Sequence, residues 1–315
     1  MAEPLVSVLI PTFNYARYLP EAIESVLAQD LAELELIIAD DASTDETAAV
    51  CAAYVARDPR IRFHRHPRNL GMVENWNWCL AQARAPYVKF LLADDKLLGP
   101  TALRQLSDLL ARHPRVRLAT SARVIIDDRS TVIDLWDPLG KADAVVNGLR
   151  WSRRQLEGDA KVLNQVGEPT AVMFRRADAA RGFDPALRQL VDLEMWMHLL
   201  AIGDLAYLAA PLCCFRRHPL QQTEANRALN LHKMEEVELC QRYCAPRARA
   251  FALYRRLRRM EKPDLQPALQ AVTVRIRSGF TPGQLAWLGL RYRLWRLGVN
   301  LRHSWNKRMR AGGAA

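Results

Sequence analysis

Leu34-Glu-Leu-Ile-Ile-Ala-Asp-Asp-Ala-Ser-Thr-Asp-Glu46 decides the fold class. Its first six residues form a short, β-rich apolar run of the kind that makes a buried strand. The run stops at an acidic pair, Asp40-Asp41. Ser43, with Glu46 three residues later, has the form of a capping box, so a helix is predicted from there towards Tyr54. Strand, acidic turn and helix make up half of a βαβ unit, and the same pattern recurs on both sides. Upstream, Leu5-Val-Ser-Val-Leu-Ile10 reads as a strand stopped by Pro11. Leu19, Ile23, Val26 and Leu27 then place a helix from about Leu19 to Gln29. Downstream come a strand at Ile61-Arg-Phe-His64, a helical face through Met72, Trp76, Cys79, Leu80 and Ala83, and a strand at Tyr87–Leu92 ending in Asp94-Asp95. A helix through Leu103, Leu106, Leu109 and Leu110 and a strand over Val116–Ile126 follow. This alternation predicts an α/β fold with a mixed, mainly parallel sheet.

Two strands therefore end in paired carboxylates. Open α/β sheets bind ligands beyond the carboxyl ends of strands, near the point where strand order reverses. That makes Asp40-Asp41 and Asp94-Asp95 candidates for one site, although either pair could serve only as caps and turns. Acidic residues at a strand end suit Mg²⁺ or Mn²⁺ that shares its oxygen ligands with a substrate diphosphate. Neither G-x-x-x-x-G-K-[ST] nor G-x-G-x-x-G follows the first strand, which instead enters Pro11-Thr-Phe-Asn-Tyr15.

The chain has 315 residues and a net charge of +11, carried unevenly. Residues 226–315 hold 19 Lys+Arg against 5 Asp+Glu, or +14, leaving residues 1–225 with 26 against 29, or −3. Two parts are predicted: a body over 1–225 and a basic α-helical C-terminal region over 226–315. No apolar run reaches the ~20 residues needed to cross a bilayer. The first residues lack a basic segment followed by an apolar core, so no secretion signal is expected. Six scattered cysteines resemble neither zinc spacing nor a disulfide framework, and fit a reduced cytoplasm.

Ser7-Val-Leu-Ile-Pro-Thr-Phe-Asn-Tyr15 resembles the opening of family 2 glycosyltransferases with the GT-A fold. So do Ala39–Asp45, Asn69-Leu-Gly71 with Asn75, and Ala93-Asp-Asp95. Gly167–Arg175, Val191-Asp-Leu-Glu-Met-Trp196 and Phe215-Arg-Arg-His-Pro219 look like its later blocks. The resemblance implies a non-processive, inverting transferase that moves a sugar from a nucleotide-diphosphate donor, UDP-linked, to a glycan or lipid-linked hydroxyl. Pro11, Thr12, Asn14, Tyr15 and Asn69 would line the nucleotide pocket, Asp41 would accept from the base, and Asp94 would sit beside the ribose. Asp95 would hold Mg²⁺ or Mn²⁺ with His218 near it, and Asp192 would be the general base. Departures are Ala42 in place of a commoner Gly, and Val191 where an acidic residue often precedes the base.

On their residues alone, Asp192 also fits a helix N-cap and His218 a structural role; Glu194 is the fallback carboxylate. Arg216 reads as a diphosphate partner through its planar donor fork. A competing enzyme is a sugar nucleotidyltransferase, which needs a glycine-rich basic loop that Pro11-Thr-Phe-Asn14 does not supply. A different class is nucleic-acid binding through the +14 segment; no recognised motif accompanies it, and no nucleic acid is expected.

In the tail, Arg255-Arg256 and Arg258-Arg259 cluster on one predicted helix. From Leu285 to Leu301 the apolar residues form two stripes, Leu288/Tyr292/Trp295/Val299 and Leu290/Leu294/Leu297/Leu301, with arginines between them. With Trp287, Trp295 and Trp305 this predicts peripheral attachment to an anionic membrane, at the inner face of the cytoplasmic membrane. Packing on the body or a homo-oligomer is the alternative.

Overall fold

In the computed structural model, described for residues 3–157, 164–219, 221, 223, 226, 229–260 and 267–296, the predicted alternation forms one sheet. The elements begin β1 (Val6–Thr12), α1 (Leu19–Leu27), β2 (Leu34–Asp40), α2 (Thr47–Val55), β3 (Ile61–Arg65), α3 (Met72–Gln82) and β4 (Tyr87–Phe90). They continue with β5 (Lys96–Leu97), α4 (Ala102–Arg112), β6 (Val116–Ile126), β7 (Val132–Trp136), β8 (Ala144–Val146), α5 (Gly148–Glu157), β9 (Val172–Arg175), α6 (Val191–Ala201) and β10 (Asp204–Arg216). The sheet order is β3-β2-β1-β4-β9-β6-β10-β5, with β7 on β6 and β8 on β10. The first four strands are parallel, as are β6 and β10; β9 runs antiparallel between β4 and β6. Buried residues of the strands share one core with the apolar faces of the helices, α3 lying against β1 and β2, and α4 against β6, β9 and β10. Trp76 lies in that core beside Phe90 and Phe183, and all six cysteines are free and buried, the Cys213-Cys214 pair within β10.

Two local expectations need correction. β1 does not stop at Pro11 but continues to Thr12, paired with β2 as far as Thr12↔Asp40. β4 leaves the ladder at Leu9, so Pro11 lies where one side of the strand is already free of a partner. Ser43 does not open α2, which begins at Thr47. Its Oγ instead accepts the N–H of Asn14 at 2.8 Å, and Asp45 accepts the Thr47 N–H at 3.1 Å. The hydroxyl that a capping box requires is spent on a contact between strand ends.

The chain divides into two compact units, Met1–Ser152 with Leu163–Leu229, and Arg153–Val162 with Asn230–Ala315. The second half of α5 thus clusters with the C-terminal unit, which a division by charge does not anticipate. That unit contains α7 (Leu231–Tyr243), α8 (Pro246–Met260), α9 (Pro267–Ser278) and α10 (282–296), around a core that includes Val237, Phe251, Leu257, Ile276 and Leu288. The α8 arginine cluster is not all surface. Arg255 and Arg256 are buried, both donating to the Leu156 carbonyl, and Arg255 also to that of Glu157. Guanidinium groups there donate to carbonyls of the last two described residues of α5. Among the described residues no helix is long and apolar enough to cross a membrane.

Candidate active site

Strand order reverses between β1 and β4, so the loops after β1, β2 and β4 open at the switch point of the sheet. After β1, Asn14 adopts a left-handed φ of 58°, which Asn tolerates better than most residues. Its Oδ1 accepts the Thr44 N–H at 2.8 Å, fastening this loop to the one after β2. The neighbouring Thr12 Oγ1 is buried and has no hydrogen-bond partner among the described residues.

After β2, Asp41 is buried and grips the turn before α3. Its Oδ1 accepts the Leu70 N–H at 2.7 Å and its Oδ2 the Gly71 N–H at 2.9 Å. Asn69 returns a bond from Nδ2 to the Asp41 carbonyl, and Asn75 bonds the Ala39 carbonyl and His66, so neither asparagine caps α3. Ala42 sits at φ 59°, the left-handed region where a Cβ is strained. A glycine would relax that backbone.

After β4, Asp94 and Asp95 are buried side by side. Asp95 Oδ2 accepts from Thr170 Oγ1 at 2.5 Å, and its Oδ1 accepts the Arg216 N–H at 2.8 Å. Burial, and then the charge of Asp94, push the Asp95 carboxyl well above the usual carboxylate range. Asp94 Oδ2 lies 3.0 Å from His218 Nε2, and the buried His218 Nδ1 has no partner among the described residues. Tyr15 sets its ring edge-on to His218 at 5.7 Å, and its hydroxyl pKa is raised by burial and by Asp94 and Asp95.

Arg216 differs from its expected role as a diphosphate partner. Its buried guanidinium donates to the Asp94 carbonyl at 2.6 Å, the Asp127 carbonyl at 3.0 Å, Ser130 Oγ at 2.9 Å and Glu21 Oε2 at 3.1 Å. Four internal acceptors consume its fork. The side chain ties the loop after β4 to Asp127, Ser130 and Glu21.

Asp192 opens α6 and keeps part of its surface open. Its Oδ2 accepts from Asn164 Nδ2 at 2.7 Å and its Oδ1 accepts its neighbour's N–H, from Leu193, at 2.7 Å. Burial pushes its carboxyl up to about 7; the Leu193 bond opposes this and Glu168 adds to it. Glu194, the fallback, is buried against Arg181 at 2.6 Å. Its carboxylate is engaged by that guanidinium.

The segment from Asn164 to Thr170 joins the two sets of carboxylates. Asn164 holds Asp192 at one end; Thr170 holds Asp95 at the other. Between them Gly167, at φ 120°, accepts the Trp196 indole N–H at 2.9 Å, and Glu168 pairs with buried Arg123 at 2.7 Å. Lys89 donates to the Thr170 carbonyl from within β4, and burial lowers its pKa to about 8. Asn164, Glu168, Thr170, Lys89 and Arg123 were not among the sequence candidates. Lysine and arginine inside otherwise apolar strands were the available signal, since a buried charge demands a partner.

Among the described residues no group of three or more His, Cys, Asp or Glu side chains is placed to hold a metal ion unaided. A hard dication that also binds a diphosphate and water needs only one or two carboxylates. Asp94 and Asp95 fit that need, because burial and the Asp94 charge disfavour the ionised Asp95 and a cation would relieve this. Asp94 Oδ1 takes no hydrogen bond among the described residues, leaving an oxygen free to ligate.

Residues 7–131 match the profile described as Glycosyl transferase family 2. A putative teichuronic acid biosynthesis glycosyltransferase, TuaG of Bacillus subtilis (strain 168), is 30% identical over 205 residues, covering 65% of this chain and 75% of TuaG. An uncharacterized protein of Mycobacterium tuberculosis (strain CDC 1551 / Oshkosh) is 34% identical over 239 residues, 72% of this chain and 71% of its own length. For three further mycobacterial proteins, 28% identical, the match spans 59% of their length. Among solved structures, S. aureus TarS 1-349 in complex with UDP-GlcNAc superposes with a TM-score of 0.63 at 15% identity, over 86% of this chain and 79% of that one. Mannosyltransferase PcManGT from Pyrobaculum calidifontis, in complex with GDP-Man and Mn²⁺, gives 0.57 at 17% identity, over 95% and 87%. These likenesses identify the fold as GT-A.

Proposed function

The chain belongs to glycosyl transferase family 2, and from that premise we propose an inverting, non-processive, metal-assisted transfer of a sugar from a nucleotide-diphosphate donor to an acceptor hydroxyl. UDP is the nucleotide we favour, and a glycan or lipid-linked sugar of the bacterial cell envelope the acceptor. Support comes from the UDP-GlcNAc in the TarS complex, the GDP-Man and Mn²⁺ in PcManGT, and the teichuronic acid in TuaG's name. We retain residues 1–225 as the catalytic part and 226–315 as the basic helical part, working at the inner face of the cytoplasmic membrane.

One observation carries the mechanism: a single segment, Asn164–Thr170, bonds Asp192 at one end and Asp95 at the other. In our reading Pro11, Thr12, Asn14, Tyr15, Asp41 and Asn69 bound the nucleotide, with Asp94 beside the ribose. Asp94, Asp95 and His218 would hold the metal, which when bound neutralises charge on the departing diphosphate. Asp192 takes the proton from the acceptor hydroxyl. A carboxyl with a pKa of about 7 suits that task, because it is largely ionised just above neutrality and still basic enough to accept. Asn164 fixes its orientation. With base and leaving group on opposite sides of the anomeric carbon, one displacement suffices and the configuration inverts.

The test is ligand-induced stabilisation. Nucleotide-sugars with Mg²⁺ or Mn²⁺ should raise the melting temperature, as anything that binds only the folded state does. EDTA should reduce the rise for the wild type and change nothing for Asp95→Asn. A melting temperature unmoved by every UDP- and GDP-sugar tried would overturn the proposal.

A further inference from the structure

The C-terminal unit separates the two apolar stripes of α10. Leu288 is buried in that unit's own core, and Leu285, Tyr292 and Trp295 pack around it. The other stripe is bare where it is described: Leu290 is 50% exposed and Leu294 61%, with Trp287 on the same face at 57% and Val274 of α9 at 67%. Positions 287, 290 and 294 fall within about 60° on a helix that turns ~100° per residue. Arg291 and Arg293 follow on opposite flanks of that strip. All five charged residues over 267–296 are arginines, and Arg275, Arg277, Arg291, Arg293 and Arg296 are all exposed. No acidic residue interrupts them.

From this arrangement we propose that the Trp287–Leu290–Leu294 strip of α10, flanked by its arginines and joined by Val274, is inserted at the surface of an anionic lipid bilayer. The charges select the occupant. A second copy of this chain would bring five more arginines against these five, whereas an anionic headgroup layer neutralises them. Tryptophan prefers the headgroup boundary, and arginine stems lie along apolar surface while their charge stays in water. Such a helix lies in the interface rather than crossing it. The charge footprint is also narrower than the +14 of the whole tail, since Arg255 and Arg256 are spent on carbonyls of α5. Trp305, Leu297, Val299 and Leu301 lie outside the described residues, and nothing rests on them. This inference deepens the membrane placement proposed above but needs no turnover, so its failure leaves the sugar-transfer reading intact.

The experiment is flotation of the full chain with phosphatidylglycerol vesicles and with phosphatidylcholine vesicles. Flotation with phosphatidylglycerol alone, reversed by high salt, is the expected result. Each exposed arginine should contribute roughly fivefold to partitioning, so Arg275→Gln/Arg277→Gln/Arg293→Gln should weaken it about a hundredfold. Trp287→Ser/Leu290→Ser/Leu294→Ser should abolish it. If that variant misfolds, a polarity-sensitive dye on Leu290→Cys gives a second readout and should shift to the blue only with phosphatidylglycerol. Equal flotation with both lipids overturns the charge selection. Absence of flotation overturns the proposal, as does sedimentation showing a dimer that the apolar variant dissociates.

Discussion

Asp192→Asn should stabilise the protein in a pH-dependent way while disabling it. Burial lifts the Asp192 carboxyl from an ordinary 3.8 to about 7. A group whose folded pKa is raised contributes most below its unfolded pKa, and that contribution is lost as pH climbs through the folded value. The gap is worth about 4 kcal/mol at ~1.4 kcal/mol per tenfold change, and solvent at the partly exposed carboxylate screens some of it, leaving about 2–4 kcal/mol. Asparagine escapes this loss because it does not ionise. It adds a fixed cost, since the Asp192 oxygens accept from both Asn164 and Leu193 and an amide can accept at only one of those places, about 1 kcal/mol. In urea denaturation, the stability of the variant relative to wild type should therefore grow by about 2–4 kcal/mol as pH rises from near 3.8 to about 7, then stay level. Over the same range kcat/KM of the wild type should rise and level off. The variant should lose ~10²-fold or more in kcat with donor affinity little changed. A pH-independent stability difference, or near-normal turnover, would refute the reasoning.

Three further substitutions test neighbouring parts of the site. Ala42→Gly should stabilise by about 0.5–1 kcal/mol, read as a higher melting temperature, because the φ of 59° strains only a residue with a Cβ. Arg216→Lys should cost ~3 kcal/mol or more, because an ammonium cannot reach the four acceptors of the guanidinium; a raised donor KM at unchanged stability would restore it as a diphosphate partner. Glu194→Gln should lower stability by breaking the pair between buried Glu194 and the exposed Arg181 and leave the pH profile of kcat/KM in place, whereas a dead enzyme of normal stability would make Glu194 the base.

Strand periodicity and the acidic pairs made the sheet and its switch point legible, because a strand buried on both faces has little choice of residue. The β1 boundary was not, since whether a proline ends a strand depends on which partner has already left the ladder at Leu9. Ser43 misled for a similar reason: its hydroxyl fits a capping box locally, but the nearer donor is Asn14, 29 residues away. In the site, Asp94, Asp95, His218 and Tyr15 are brought together. The link from Asn164 to Thr170 was invisible because sequence spacing does not report which carboxylate a loop returns to. Arg216 showed the limit of residue chemistry as a guide. A donor fork suits phosphate, but it suits a ring of internal oxygens equally well. In the tail, periodicity found both stripes of α10, and only packing tells which one is covered.

The central claim is that this chain cleaves a nucleotide-sugar at the Asp94-Asp95 site, and release of nucleoside diphosphate tests it most directly. Purified protein, a panel of UDP- and GDP-sugars, and Mg²⁺ or Mn²⁺ suffice, because water can accept the sugar slowly where the acceptor is missing. The account predicts release of UDP from at least one donor, stopped by EDTA, restored by metal and absent in Asp95→Asn. Release that persists undiminished in EDTA and in Asp95→Asn would contradict it.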